Sequence, residues 1–245
     1  MRERKGIKMD NCTEYKRALV NLGCGLHAPA GWINVDGSLG VLLAKHPFAK
    51  SVARLLHFPK YVTETPWNPE IIRADLRGNL PFLSASIDVV YSSHALEHLH
   101  VEEAKRLMRE IFRVLKPGGI CRIVVPDGAE AVRQKLVEPL SNAALDRPVA
   151  KVRGAAYETI NAGVVVPPQG FIGRIWHKIN DLHYHKYLYD EGSLMSLFEW
   201  AGFSDPMRRS TNESRVINIR DVELESRSSD GSLCMEGGKP DVARM

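Results

Sequence analysis

The stretch "RALVNLGCG", residues 17–25, is a short apolar run that ends in glycines. A strand buried in a sheet and entering a tight turn reads this way. "GWINVDGS" (31–38) is a second candidate strand, reaching Asp36. Between them "LHAPA" contains Pro29 and is too short for an ordinary crossover helix, so the first β–α–β unit is contracted. "EIIRADL" (70–76) gives a third strand ending at Asp75, and the β-branched "SIDVVYSS" (86–93) a fourth. Leu107, Ile111, Val114 and Leu115 recur at helical spacing, "KPGG" (116–119) stops that helix, and "ICRIVVPD" (120–127) is a fifth strand. "YDEGSLMSLFEWAGF" (189–203) is an amphipathic helix closed by Gly202. "SRVINIRDVELES" (214–226) and "SLCMEGGKP" (232–240) are candidates for final antiparallel strands. Strands alternating with helices imply an α/β fold with a doubly wound, mainly parallel sheet. The expected organisation is one domain over 1–245, an insertion at 128–185 between the fifth and sixth strands, and a frayed tail at 241–245.

Composition narrows the function classes. Of 245 residues, 44% are apolar and 25% charged, an ordinary globular balance. A formal charge of +4, spread along the chain, does not argue for nucleic acid. Cys12, Cys24, Cys121 and Cys234 form no C-x-x-C pair, which disfavours zinc knuckles and thiol redox chemistry. The N-terminus "MRERKGIKMDN" has no apolar run behind it, and no stretch approaches the roughly 20 apolar residues of a membrane span. The expected setting is a reducing cytoplasm.

In an open parallel sheet, ligands bind beyond the carboxyl ends of the strands. Those ends here carry Gly23–Gly25, Asp36, Asp75 and Ser92–His94. Glycines let a backbone approach a ligand closely. An aspartate at the second strand end can accept hydrogen bonds from ribose hydroxyls, and a polar residue at the third can face an adenine edge. "GCGLHA" (23–28) also fits the dinucleotide fingerprint G-x-G-x-x-G/A. That fingerprint needs a helix N-terminus for the pyrophosphate and an acid about 20 residues on. "LHAPAG" leaves little helix and Asp36 comes sooner, so an adenosine ligand without pyrophosphate fits better than NAD.

"SSHALEHLH" (92–100) spells H-x-x-E-H through His94, Glu97 and His98, the pattern of the inverted zinc peptidases. Those enzymes place it inside a long helix, whereas here it follows a β run directly. No metal is expected, although helical spacing puts both histidines on one face.

Taken together, "VNLGCG", "GWINVD", "ADLRGNLPFLSASIDVVYSSHALEHL" and "EIFRVLKPGGICRIVVPD" resemble a class I S-adenosylmethionine-dependent methyltransferase. They resemble in particular the small bacterial group often associated with sugar, polysaccharide and natural-product pathways. The resemblance covers about 18–127 and resumes at 185–203. It implies a seven-stranded Rossmann-like sheet and S-adenosylmethionine as cofactor. Gly23, Cys24 and Gly25 would pass under the methionine part and Asp36 would hold the ribose. Asp75 with Leu76 would flank the adenine, and Ser92, Ser93 and His94 would close the methionine end. Many relatives have an acid where Asn21 stands.

An oxygen or nitrogen acceptor also needs a proton acceptor, and histidine suits this near neutral pH. His185 and His94 are the candidates; His98 and His183 also stand nearby in sequence, and His183 and His185 resemble the family's histidine before an aromatic pair, here Tyr187 and Tyr189. A structural role is favoured for His183, His177 and His100. The expected acceptor is a small molecule or glycan. A nucleic-acid methyltransferase and a non-catalytic cofactor-binding subunit are the competing readings. "SSHA" stands where many amino-methylating relatives carry an N/D-P-P-Y tetrapeptide.

Residues 41–60 carry Lys45, Lys50, Arg54 and Lys60 and no acid, with Val41, Phe48, Val52 and Leu55 on one helical face. That face is expected to pack on the sheet, Pro47 interrupting the helix, with weak contact to an anionic membrane surface as the other reading.

Overall fold

The computed structural model describes residues 17–56, 58, 60–130, 185–225 and 231–241. His177, His183, most of the 128–185 insertion and the tail beyond 241 lie outside the described residues. In chain order the elements are β1 (Leu19–Leu22), β2 (Ile33–Asp36), α1 (Leu39–Lys45), α2 (Pro47–Leu55), α3 (Lys60–Thr63), β3 (Ile72–Arg73) and β4 (Ile87–Ser93). A 3-10 turn (Leu96–His98), α4 (Val101–Val114), β5 (Leu115–Pro126), α5 (Glu191–Ala201), β6 (Ser204–Arg209), a second 3-10 turn (Ile219–Asp221) and β7 (Ser232–Gly238) follow. They build the seven-stranded sheet β3-β2-β1-β4-β5-β7-β6. The strands from β3 to β5 are parallel, and β7 runs antiparallel to β5 and β6.

The central strands are apolar on both faces because both are covered. On one face Leu107, Met108, Ile111 and Val114 of α4, with Leu194 and Phe198 of α5, bury against Val20, Leu22, Val90 and Ile123. Gly202 closes α5 in the left-handed region, at φ 99°, as its position after the apolar stripe predicts. On the other face Trp32, Val216, Ile219 and Val222 cover Val89, Tyr91 and Val124. That second cover is mostly irregular chain. Arg122, fully buried in β5, ties it down. Its Nε and Nη2 donate to Glu223 at 3.0 and 2.8 Å, and Nη1 and Nη2 donate to the carbonyls of Glu213 and Ser210. Glu236, its register partner on β7, lies at 3.4 Å.

The contracted first crossover is present: the chain from Gly23 to Trp32 reaches β2 without a helix. Two asparagines satisfy its backbone instead. Asn21 Nδ2 donates to the His27 carbonyl and to Asn34 Oδ1, and Asn34 Nδ2 donates to the carbonyls of Pro29 and Trp32. A carboxylate at 21 could not donate these bonds.

Three expectations need correction. Of the stretch 214–226, the described residues 214–225 form no strand; β6 is Ser204–Arg209, whose pairing through a register shift at Asp205, itself at positive φ, masks the period-2 pattern in the sequence. β3 has only two ladder residues. Pro47 interrupts the helical stretch as expected: α1 ends at Lys45, and Pro47 opens α2 at its first position, where a missing N–H costs nothing. In α2 the small Ala53 turns inward, while Phe48 and Leu55 are 84% and 76% exposed. The expected packing of that apolar face on the sheet is not what forms. Among the described residues no helix is long and apolar enough to cross a membrane.

Candidate functional site

Parallel register brings the polar strand ends to one edge. Leu22 pairs with Val35 and with Ser92, so the turn after β1 lies between the ends of β2 and β4. Gly23 and Gly25 sit at φ 65° and 57°, the region glycine enters without strain. A Cβ on Gly23 would also stand 2.6 Å from the Cβ of Ala95. The amides of Gly23 and Cys24 both donate to the Val35 carbonyl, at 2.8 and 3.1 Å.

Asp36 is buried at the end of β2. Its Oδ2 accepts from the Gly25 amide at 2.9 Å and its Oδ1 from the Ser38 amide at 2.8 Å. Each oxygen keeps a second lone pair, so the carboxylate fits a pair of ribose hydroxyls while holding the glycine turn. Leu76 packs near Gly23, with Cδ1 3.6 Å from the added Cβ position. Asp75 is at the surface and engaged: Arg77 clasps it through Nε at 2.9 Å and Nη2 at 2.8 Å. This hydrogen-bonded guanidinium holds the Asp75 carboxyl below its usual range. Ser92 is spent on structure, its hydroxyl donating to the Leu22 carbonyl at 3.0 Å. Ser93 is buried beside it.

His94 follows β4 directly in the left-handed region, at φ 51°. Non-glycine residues there are uncommon and gather at functional sites. The turn Leu96–His98 that follows is a single 3-10 turn, not the long helix of a zinc peptidase. Glu97 on this turn is completely buried. Its Oε1 lies 3.3 Å from His94 Nδ1, 3.9 Å from His98 Nε2 and 3.9 Å from His185 Nε2. The segment bearing His185 is pinned there because the amides of Lys186 and Tyr187 both donate to the Glu97 carbonyl, at 2.7 and 3.3 Å. The rings of His98 and His185 meet edge to face at 4.9 Å, and those of Tyr187 and Tyr189 at 4.6 Å. Burial pushes the Tyr189 phenol up, so it stays protonated near neutrality. His100 instead takes the N-cap of α4, its amide donating to Glu103 Oε2.

The geometry therefore unites His94 and His185, which sequence reasoning named, around Glu97, which it did not name as a site residue. The H-x-x-E-H spacing was the available signal, but the burial of Glu97 depends on chain arriving from residue 185.

A family described as methyltransferase domain matches residues 20–123. No curated protein matches the chain. Among solved structures, a chain of the Haloferax volcanii complex between the Trm112 methyltransferase activator and a methyltransferase is 17% identical, with TM-score 0.44 over 93% of this chain and 84% of that one. An S-adenosylmethionine-dependent methyltransferase of Thermotoga maritima is 15% identical, with TM-score 0.39 over 94% of this chain and 84% of that one. Phosphoethanolamine N-methyltransferase 2 of Haemonchus contortus, solved with S-adenosyl-L-methionine, is 13% identical, with TM-score 0.44 over 93% of this chain and 49% of its own length. The glycine turn and the buried acid after β2 thus lie within the part of the chain, from β1 into β5, that is similar to a methyltransferase domain.

Proposed function

We propose that the chain is a class I S-adenosylmethionine-dependent methyltransferase that acts on an oxygen or nitrogen of a small-molecule or glycan acceptor, with the acceptor seated beside His94 and His185. The observation that carries this reading is that one sheet edge joins the Gly23–Asp36 cradle to an imidazole cluster through the β4 turn. Bound S-adenosylmethionine supplies a methyl group on a good sulfonium leaving group. The protein's task is then to align the acceptor, exclude water and take its proton. Gly23, Cys24 and Gly25 would lie along the methionine part, Asp36 would hold the ribose, and Leu76 with Asp75 would border the adenine. His185, part exposed with Glu97 behind it, would accept the proton at a ring nitrogen. Glu97 would stabilise the imidazolium that results.

The test is formation of S-adenosylhomocysteine with separate pools of small alcohols and amines, glycans and oligonucleotides. Turnover with either of the first two pools supports the reading, and turnover confined to oligonucleotides overturns it. In the same assay His185→Ala is expected to lower the rate by about 10²-fold, the lower end for a lost general base. Full transfer by that variant would remove His185 from the role.

A second reading concerns where the enzyme works. Phe48, Leu55 and Leu56 project from α2 and its end, flanked by Lys45, Lys50, Arg54 and Lys60. An outward apolar ridge with cationic flanks and no acid suits an anionic lipid surface. Co-sedimentation with phosphatidylglycerol vesicles, but not with phosphatidylcholine vesicles, is expected. The pair Phe48→Ser and Leu55→Ser should cut it by about tenfold or more, since each buried side chain contributes roughly 1.5–3 kcal/mol. Equal binding to both lipids, or none, would dismiss this surface.

A further inference from the structure

We propose that Glu97, His98 and His185, with His94 at the rim, form a site for one divalent transition-metal ion of the zinc class. Two independent observations converge on it. First, one ligand atom from each of Glu97, His98 and His185 lies within 4.8 Å of the others. A tetrahedral ion with bonds of about 2.1 Å separates its ligands by about 3.4 Å, so small side-chain rotations close the shell. Second, the Glu97 carboxylate is fully buried and neither oxygen accepts a hydrogen bond among the described residues. A buried, unbonded carboxylate is costly unless a positive charge compensates it. Among the described residues its ion-pair contacts are imidazoles: His94 Nδ1 at 3.3 Å, and His98 and His185 at 3.9 Å.

The donor set chooses the ion. Magnesium demands oxygen ligands and keeps its waters. Two or three imidazoles with one carboxylate suit zinc, cobalt or iron(II). The backbone fixes the shell before any ion arrives, because Glu97 and His98 share one 3-10 turn and the Glu97 carbonyl holds the chain beside His185. His185 is 43% exposed, which leaves an open side to the site. Open sides mark catalytic rather than purely structural metal sites. Metal and proton compete for the same ring nitrogen, so His185 is a ligand in the loaded protein and a base only in the metal-free one. The existence of the site does not rest on the acceptor proposed above; only its use in transfer does.

The full chain, without a histidine tag and stripped with chelator, is titrated with Co²⁺, followed by its visible bands, and with Zn²⁺ and Mg²⁺ by calorimetry. One Co²⁺ or Zn²⁺ per chain and no Mg²⁺ binding are expected. Glu97→Gln, which keeps shape, and His185→Ala, at a part-exposed position, should each weaken Zn²⁺ by at least about 100-fold, beyond the loss typical for a supporting residue. Absence of Zn²⁺ and Co²⁺ binding, a preference for Mg²⁺, or unchanged affinity in both variants overturns the inference. S-adenosylmethionine titrated into the stripped protein separates the two claims. Retained cofactor binding without metal binding sinks the metal site alone, whereas metal binding without cofactor binding sinks the cofactor reading alone.

Discussion

Asp36→Ala is expected to weaken S-adenosylmethionine binding by between about 10² and 10⁴-fold in calorimetry. The reason is the double duty of one carboxylate. Its two oxygens hold the amides of Gly25 and Ser38, in the turns after β1 and β2. Hydrogen bonds to a charged group contribute about 1.5–3 kcal/mol each, so losing two costs about 3–6 kcal/mol of organisation that binding must then supply. Any contact to the ribose is lost in addition. Asp36→Asn keeps one acceptor oxygen and should fall between wild type and alanine. NAD should bind none of the three, because the chain from Gly23 to Trp32 offers no helix N-terminus to a pyrophosphate. Equal affinity of wild type and Asp36→Ala for S-adenosylmethionine would remove Asp36 from the cofactor site.

Arg122→Ala is expected to destabilise the fold by about 3–5 kcal/mol, the cost of leaving buried charges without their partner. For a chain of this length that is a fall in melting temperature of about 10 °C. Glu223 and Glu236 are fully or nearly fully buried. Arg122 bonds both, and also two carbonyls of the irregular cover. Arg215 shares Glu236 from the surface side, at 2.9 Å, so Glu223 should suffer most. Arg122→Met combined with Glu223→Gln should recover much of the loss, because the uncompensated charge is then removed. If thermal unfolding of Arg122→Ala matched wild type, the network would be incidental to stability.

The sheet was legible because its strands announce themselves locally. Val20, Leu22 and the β4 core Val89–Tyr91 are apolar and buried, and the glycines, Asp36 and Gly202 sit where backbone chemistry requires those residue types. The same local rules misplaced β6. Its pairing is set by β7 and a register shift rather than by alternation in Ser204–Arg209. They also misjudged α2, since helical spacing reveals that Phe48, Val52 and Leu55 share a face but not which way the face points. Ala53, the residue that does turn inward, carries no strong signal.

The sequence by itself determined the glycine turn and the carboxylate that holds it. Close approach, positive φ and a carboxylate at a strand end are demands met within about 15 residues, so composition and spacing express them directly. Only the tertiary structure decided the histidine cluster. Glu97 and His185 are 88 positions apart in the chain, and nothing in either neighbourhood requires the other. What joins them is the pair of amide bonds from Lys186 and Tyr187 to the Glu97 carbonyl, with burial of the Glu97 carboxylate beneath three imidazoles. Long-range backbone bonds and desolvation leave no periodic trace in sequence.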